Sequence, residues 1–281
     1  MVTDVAPHAH TDLGAGGRWT SLEAAGREWL WHRPDPARGT VRPGDAFVDA
    51  GGLEECVPTI RGVPDHGDAW SRAWRRVGTA HVVECPDFVL QRRIRRTATA
   101  LRAGYELRAD AGYRFLWAAH ALLDVTPAAC LNAPAGTPTR LFPEAAPLLD
   151  RSWPSTARHL TGPWPAPCGL RLDRLGPDDG TAVGAVLTSC DRVTVTDGPD
   201  TLAFALRAEA PVPVSVALWR NLRGFPTTGA YRSIGVEPMI GSVFDLAEAG
   251  PADVAEVPAD GRLRWELAIT ATTTRTPEAS P

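Results

Sequence analysis

The sequence predicts an all-β protein, one large antiparallel β-sandwich with few short helices. Two observations carry that expectation. Period-two alternation of apolar and polar residues recurs along the chain, and no long stretch repeats apolar residues at helical spacing. The 26 glycines and 26 prolines are spread along the 281 residues rather than pooled into a linker, as many short elements joined by tight turns require.

Taken in order, residues 1–13 are polar and lack the basic start and apolar stretch of a secretion signal. They are expected as a flexible N-terminal tail on a cytoplasmic protein, with His8 and His10 part of that tail rather than a metal site. The folded domain is expected over 14–272, followed by a second flexible tail at 273–281. GGRWTSLEAAGREWLW predicts a hairpin turning at Ala25-Gly26, with Trp29 and Trp31 on one face. Between Phe88 and Leu123, β-rich stretches broken at Ala103-Gly104 and Asp110-Ala111-Gly112 predict a meander of three antiparallel strands. Asn132 to Pro167 reads as a long Pro-rich irregular segment, of the kind used as a lid or edge cover. Strands follow on Val183, Ala185 and Leu187, on Leu202, Phe204 and Leu206, and on Val214, Val216 and Leu218. RLRWELAITAT alternates Leu263, Trp265, Leu267 and Ile269 over polar partners, the pattern of a sheet with one face on the core.

Composition excludes several function classes. No apolar run approaches the roughly 18 residues of a membrane span, so no membrane partner is expected. A net charge of -4 argues against a nucleic-acid partner, whose affinity comes from clustered cations. Lysine is absent, which excludes a Schiff-base lysine and a phosphate-loop lysine; codon bias in a GC-rich genome also produces an all-arginine set. Cys56, Cys85, Cys130, Cys168 and Cys190 contain no C-x-x-C, so neither a zinc site nor a disulfide framework is indicated.

Three titratable residues stand in unusual settings. His66 lies in the turn Pro64-Asp65-His66-Gly67, where Gly67 permits a positive φ and leaves the imidazole accessible; a surface loop histidine reads equally well. His120 ends the apolar run from Phe115 to Ala119, where a neighbouring carboxylate would shift its titration, or where it is a satisfied core histidine. Glu237 is flanked by Gly235, Val236, Pro238, Met239 and Ile240, a setting in which a bare carboxylate is costly unless paired or functional. Ten tryptophans against three tyrosines supply flat apolar faces for sugar rings, or for a core.

The stretches GREWLW, AGGLEECVPT, PDHGDAW, FLWAAHALL, LWRN and GVEPMIG, in that order, resemble the galactose mutarotase-like superfamily, which includes the aldose 1-epimerases. The similarity runs from about Gly16 to Ile269. It implies a β-supersandwich that binds a monosaccharide without metal or cofactor, as a monomer or homodimer. It further implies Glu237 as general base, His120 as general acid and His66 as a hydrogen-bonding group near the ring oxygen. Glu55, Trp70, Trp219, Arg220 and Asn221 would be sugar contacts. Such a set matches anomer exchange, which needs a proton taken from the C1 hydroxyl and another delivered to the ring oxygen. Two departures, Ala121 where proline is common and Leu53-Glu54-Glu55 where aromatic–Asp–Glu is more usual, bear on sugar specificity rather than on acid–base chemistry. Three other functions fit the same fold. A hexose 6-phosphate mutarotase would grip phosphate with Arg61, Arg72 or Arg220. A carbohydrate-binding domain would keep the cleft without turnover, and a hydrolase or lyase would pair Asp65 or Glu55 with Glu237.

Overall fold

Two antiparallel sheets hold almost all the strands of the computed structural model, which describes residues 1–274. The back sheet has nine strands; along its path they run Cys130–Asn132, Arg192–Asp197, Asp200–Ala208, Arg262–Thr274, Leu101–Ala109, Phe88–Arg96, Ala80–Glu84 and Arg75–Val77, with Val2–Val5 also on Arg262–Thr274. The front sheet has ten: Leu160–Pro163, Pro138–Leu141, Thr181–Thr188, Val214–Leu222, Arg232–Ile240, Trp117–Leu123, Leu53–Cys56, Arg18–Ala24 and His8–Asp12, with Arg27–Glu28 hairpinned onto Arg18–Ala24. Helix is confined to short 3-10 turns such as Pro36–Thr40.

The alternating patterns determine what lies between the sheets. Leu263, Trp265, Leu267 and Ile269 of the back sheet face Leu53, Trp117, Leu218 and Val236 of the front sheet in one continuous buried core. A polar knot ties the layers together inside it. The Glu55 carboxylate accepts from Arg92 at 2.6 Å, from the Tyr105 hydroxyl at 2.9 Å and from Trp117 Nε1 at 2.9 Å. Arg92 also donates to the Gly17 carbonyl, so both charges, fully buried, are paired and hydrogen-bonded as burial demands.

Several expectations are corrected. The segment 1–13 is paired into both sheets: Val2–Val5 lies against Arg262–Thr274, and His8–Asp12 against Arg18–Ala24. Thr273 and Thr274 are the partners of Thr3 and Val2, and the remainder of the expected C-terminal tail lies outside the described residues. Ala103-Gly104 is not a turn but the middle of Leu101–Ala109; the chain reverses at Thr97–Ala100, where Thr97 bonds Ala100 with both backbone and side chain. The third strand of that region, Trp117–Leu123, crosses to the front sheet. The Pro-rich stretch contains two strands: Leu160–Pro163 at the edge of the front sheet, and Pro138–Leu141 next to it, paired also to Thr181–Thr188. Pro163 lies on the edge strand and Pro138 is the first residue of its strand, positions where a missing N–H is tolerated. The Ala25-Gly26 hairpin turn forms as expected, with φ of 55° and 79°.

Candidate functional site

Strand alternation and register together assemble the site on the outer face of the front sheet. Trp117 turns inward, so Ala118, His120 and Leu122 turn outward. The pairs Ala118–Met239 and Leu122–Gly235 bracket His120 and Glu237, setting them opposite each other. Glu54 pairs with His120 on its other side, and Ala217 with Glu237. One row of the sheet therefore reads Glu54, His120, Glu237, Ala217.

His120 Nε2 lies 3.6 Å from Glu237 Oε1, an ion-pair separation too long for a direct hydrogen bond. Glu237 is only 2% exposed, and its Oε2 has no hydrogen-bond partner. Burial pushes the Glu237 carboxyl above its usual range, with His120 and Arg61 pulling the other way. Gly235 provides the space: a Cβ there would stand 2.4 Å from Glu237 Oε1.

His66 closes one side. Its own φ is 56°, and the following Gly67, at φ 80°, packs so tightly on Val57 that a Cβ would fall 2.1 Å from that carbonyl. The ring stacks on Phe47 at 3.7 Å and meets His120 edge-on at 5.2 Å. Asp65 Oδ1 takes His66 Nδ1 at 2.8 Å, while Asp65 Oδ2 accepts the Phe47 amide at 2.9 Å. Burial pushes the His66 imidazole below its usual range against the opposing pull of Asp65. Burial would raise the Asp65 carboxyl, but the bonds from His66 and Phe47 outweigh it and hold it low.

These groups border a cavity of about 690 Å³, within the range of small-molecule sites. Of the residues expected as sugar contacts, Trp219 lines this cavity. The other expected contacts do not. Glu55 sits one residue from Glu54 and so faces the sandwich interior, bound to Arg92. Arg220 follows Trp219 in the strand and must point to the opposite side, where it donates to the Arg171 carbonyl. Asn221 is fully buried and holds the 223–226 loop, donating to the Phe225 carbonyl and accepting from the Gly224 and Phe225 amides. Trp70 is buried behind Phe47 and donates to the Asp65 carbonyl. Arg72 is paired with Asp68, away from the cavity.

Sequence reasoning missed other walls. Tyr231 donates to Asp49, stacks on Trp31 and lies under the Arg33 guanidinium. Glu144 is another, paired at 2.7 Å with Arg61, which the sequence offers only as a phosphate grip and which covers Phe244 on the cavity wall. Phe47 and Asp49 come from GDAFVDAGG, where an aromatic and a carboxylate in a glycine-bounded loop just before the AGGLEEC stretch are the available signal. Nothing local marks Tyr231 or Glu144. Glu54, bound by Arg38 at 3.0 to 3.1 Å, is pushed by burial up to about 7, with Arg38 and Arg18 opposing. Among the described residues no cluster of three or more His, Cys, Asp or Glu is placed to hold a metal ion, and no helix is long and apolar enough to cross a membrane.

Solved structures share this architecture over almost the whole chain. Slr1438 from Synechocystis sp. PCC 6803 superposes with a TM-score of 0.68 at 13% identity, over 98% of this chain and 96% of its own. A protein provisionally named an aldose 1-epimerase from Escherichia coli K12 gives 0.67 at 14% identity, over 98% and 100%. A galactose mutarotase-like protein from Lactobacillus casei ATCC 334 gives 0.62 at 16% identity, over 96% and 100%. At these identities the likeness is one of fold alone: the chain shares the antiparallel β-sandwich of these structures. No family model matches the sequence. No curated protein matches it either.

Proposed function

We propose that the chain is an aldose 1-epimerase-like isomerase that interconverts the anomers of an unphosphorylated sugar. The observation that carries this reading is the buried, unpartnered Glu237 oxygen facing His120 on a cavity wall. A buried acceptor without a donor is costly, and a ligand hydroxyl would satisfy it. Glu237 takes the C1 hydroxyl proton while the His120 imidazolium protonates the ring oxygen; the C1 to ring-oxygen bond breaks and the C1 oxygen becomes the aldehyde carbonyl. Rotation about C1–C2 presents the other face, and the two proton transfers reverse as the ring closes. His66 has a different part from the one the family resemblance implies. With Nδ1–H given to Asp65 and the ring neutral, its Nε2 is an acceptor and suits a sugar hydroxyl, not the ring oxygen, which has no proton to donate.

The charge of the cavity favours a neutral sugar over a hexose 6-phosphate. Two arginines, Arg33 and Arg61, stand against Asp35, Asp49, Asp65, Glu144 and Glu237, and a phosphate dianion would meet that acidic surplus. Trp219, Phe47 and Phe225 offer apolar faces to the ring carbons. NMR anomer exchange on a panel of free and 6-phosphorylated hexoses tests the reading, with Glu237→Gln and His120→Asn as controls. Acceleration abolished by both substitutions supports it. Binding by calorimetry without acceleration would make the protein a carbohydrate-binding domain instead.

A further inference from the structure

We propose that a second cavity beside the first is a subsite for the second unit of a neutral saccharide whose reducing unit sits against His120 and Glu237. The proposal rests on the sugar reading above. This cavity, about 460 Å³, shares Arg61, Glu144 and Phe244 with the main one. The Arg61–Glu144 ion pair lines both cavities and lies where they adjoin. Gly184 lies beneath that pair: a Cβ would stand 2.5 Å from Glu144 Oε1 and 2.7 Å from the Arg61 guanidinium, so its absence lets the pair lie against the sheet. Both partners remain partly exposed, at 39% and 25%, and can bond a ligand crossing between the cavities.

The lining has the chemistry of a sugar site. Phe142 and Phe244 pack at 4.6 Å and give it an aromatic wall, and Ser155 and Thr156 also line it. Its charges, Arg61 and Arg158 against Glu144, Asp245 and Glu248, leave no surplus for a phosphate, and Arg158 is already turned onto the Glu248 carbonyl. Neutral hydroxyls suit this surface better than an anion. Because ring opening needs a free anomeric hydroxyl, the second unit must be joined through one of the other hydroxyls of the reducing sugar.

The test is anomer exchange on monosaccharides and on reducing disaccharides with 1→2, 1→3, 1→4 and 1→6 links. It is run on the full chain and on Ala157→Trp, which fills the second cavity from an exposed loop, and on Ser155→Ala/Thr156→Ala, which removes hydroxyls without adding bulk. At least one linkage should exceed its reducing monosaccharide in kcat/KM by about tenfold, a gain typical of one added set of contacts. Ala157→Trp should erase that gain and leave the monosaccharide rate unchanged, and the double alanine variant should raise KM for the disaccharide only. Equal kcat/KM for both sugar sizes, or a gain that survives both variants, overturns the subsite. If no sugar is turned over, calorimetry separates the two ideas. Disaccharide binding weakened by Ala157→Trp keeps the subsite while the isomerase reading falls, and no binding of any saccharide removes both.

Discussion

His120 and Glu237 face each other across adjacent strands of the front sheet, 3.6 Å apart, with one Glu237 oxygen left without a partner. A carboxylate so placed is unfavourable for folding and available for chemistry, and this tension generates the first prediction.

Glu237→Gln should lower the anomer-exchange rate by about 10²–10⁴ while raising the melting temperature at neutral pH. The sign follows from burial. The folded state holds the Glu237 proton more tightly than the unfolded chain, so this group favours folding below its unfolded pKa, and that stabilisation is lost as pH rises. Glutamine removes the buried charge. A variant that loses both rate and stability would contradict the assignment.

Gly235→Ala should reduce catalysis without unfolding the protein. The added Cβ would stand 2.4 Å from Glu237 Oε1 and 3.0 Å from Trp219 Cβ, forcing the carboxylate from its place opposite His120. Circular dichroism unchanged alongside a rate loss of tenfold or more, on the order expected for a misplaced catalytic group, is the outcome to look for.

Asp65→Asn should alter the pH profile of activity rather than the fold. Asp65 fixes which His66 nitrogen carries the proton and also holds Phe47 over the ring. Replacing the acceptor with an amide frees the tautomer, and the His66 ring signals in NMR should shift. The same signals unmoved would show that Asp65 does not set the tautomer.

Glu54→Gln should flatten the dependence of stability on pH between about 4.5 and 7. Burial holds the Glu54 carboxyl at about 7 in the folded protein against an ordinary 4.5, so its contribution is complete below 4.5 and is lost as pH rises through 7. Melting temperatures of the two proteins, compared across that interval, should converge at the acid end if the Arg38 contacts are otherwise kept.

Arg92→Met should destabilise the sandwich by about 3–5 kcal/mol, the cost of leaving one member of a buried ion pair unmatched. The double variant Arg92→Met/Glu55→Gln should recover part of that loss, because the stranded charge is gone. Chemical denaturation of the three proteins gives the comparison. Additive losses would show that the Glu55 and Arg92 charges are not coupled across the core.

The contrast between Glu54 and Glu55 shows where sequence reading stopped. Both lie in LEEC, and a step of one residue decides whether a carboxylate sits beside His120 or inside the sandwich with Arg92. Trp219 and Arg220 pose the same problem: neighbours in a strand cannot share a face, so at most one can line the cavity. Ala103-Gly104 looked like a break because glycine is a turn signal, yet the strand runs through Gly104, which is paired with Arg93 and Glu266, and a Cβ there would meet nothing within 4 Å. The strands Pro138–Leu141 and Leu160–Pro163 were hidden by their prolines, which are tolerated at the first position of one strand and on the sheet edge of the other.

By itself the sequence determined the all-β class, the inward stripe from Leu263 to Ile269, the Ala25-Gly26 turn and the three residues His66, His120 and Glu237 worth following. The class, the stripe and the turn follow from the two-residue period and from turn residues, which are local properties of the chain; the three titratable residues have equally good structural readings locally and stand out through the order of six short stretches along the sequence. Only the tertiary structure decided that His120 stands opposite Glu237, that Glu54 rather than Glu55 flanks it, and that Phe47, Asp49, Glu144 and Tyr231 wall the cavity. Those facts depend on register between strands up to about 120 residues apart and on loops brought over one sheet face, and no local pattern encodes such long-range pairing.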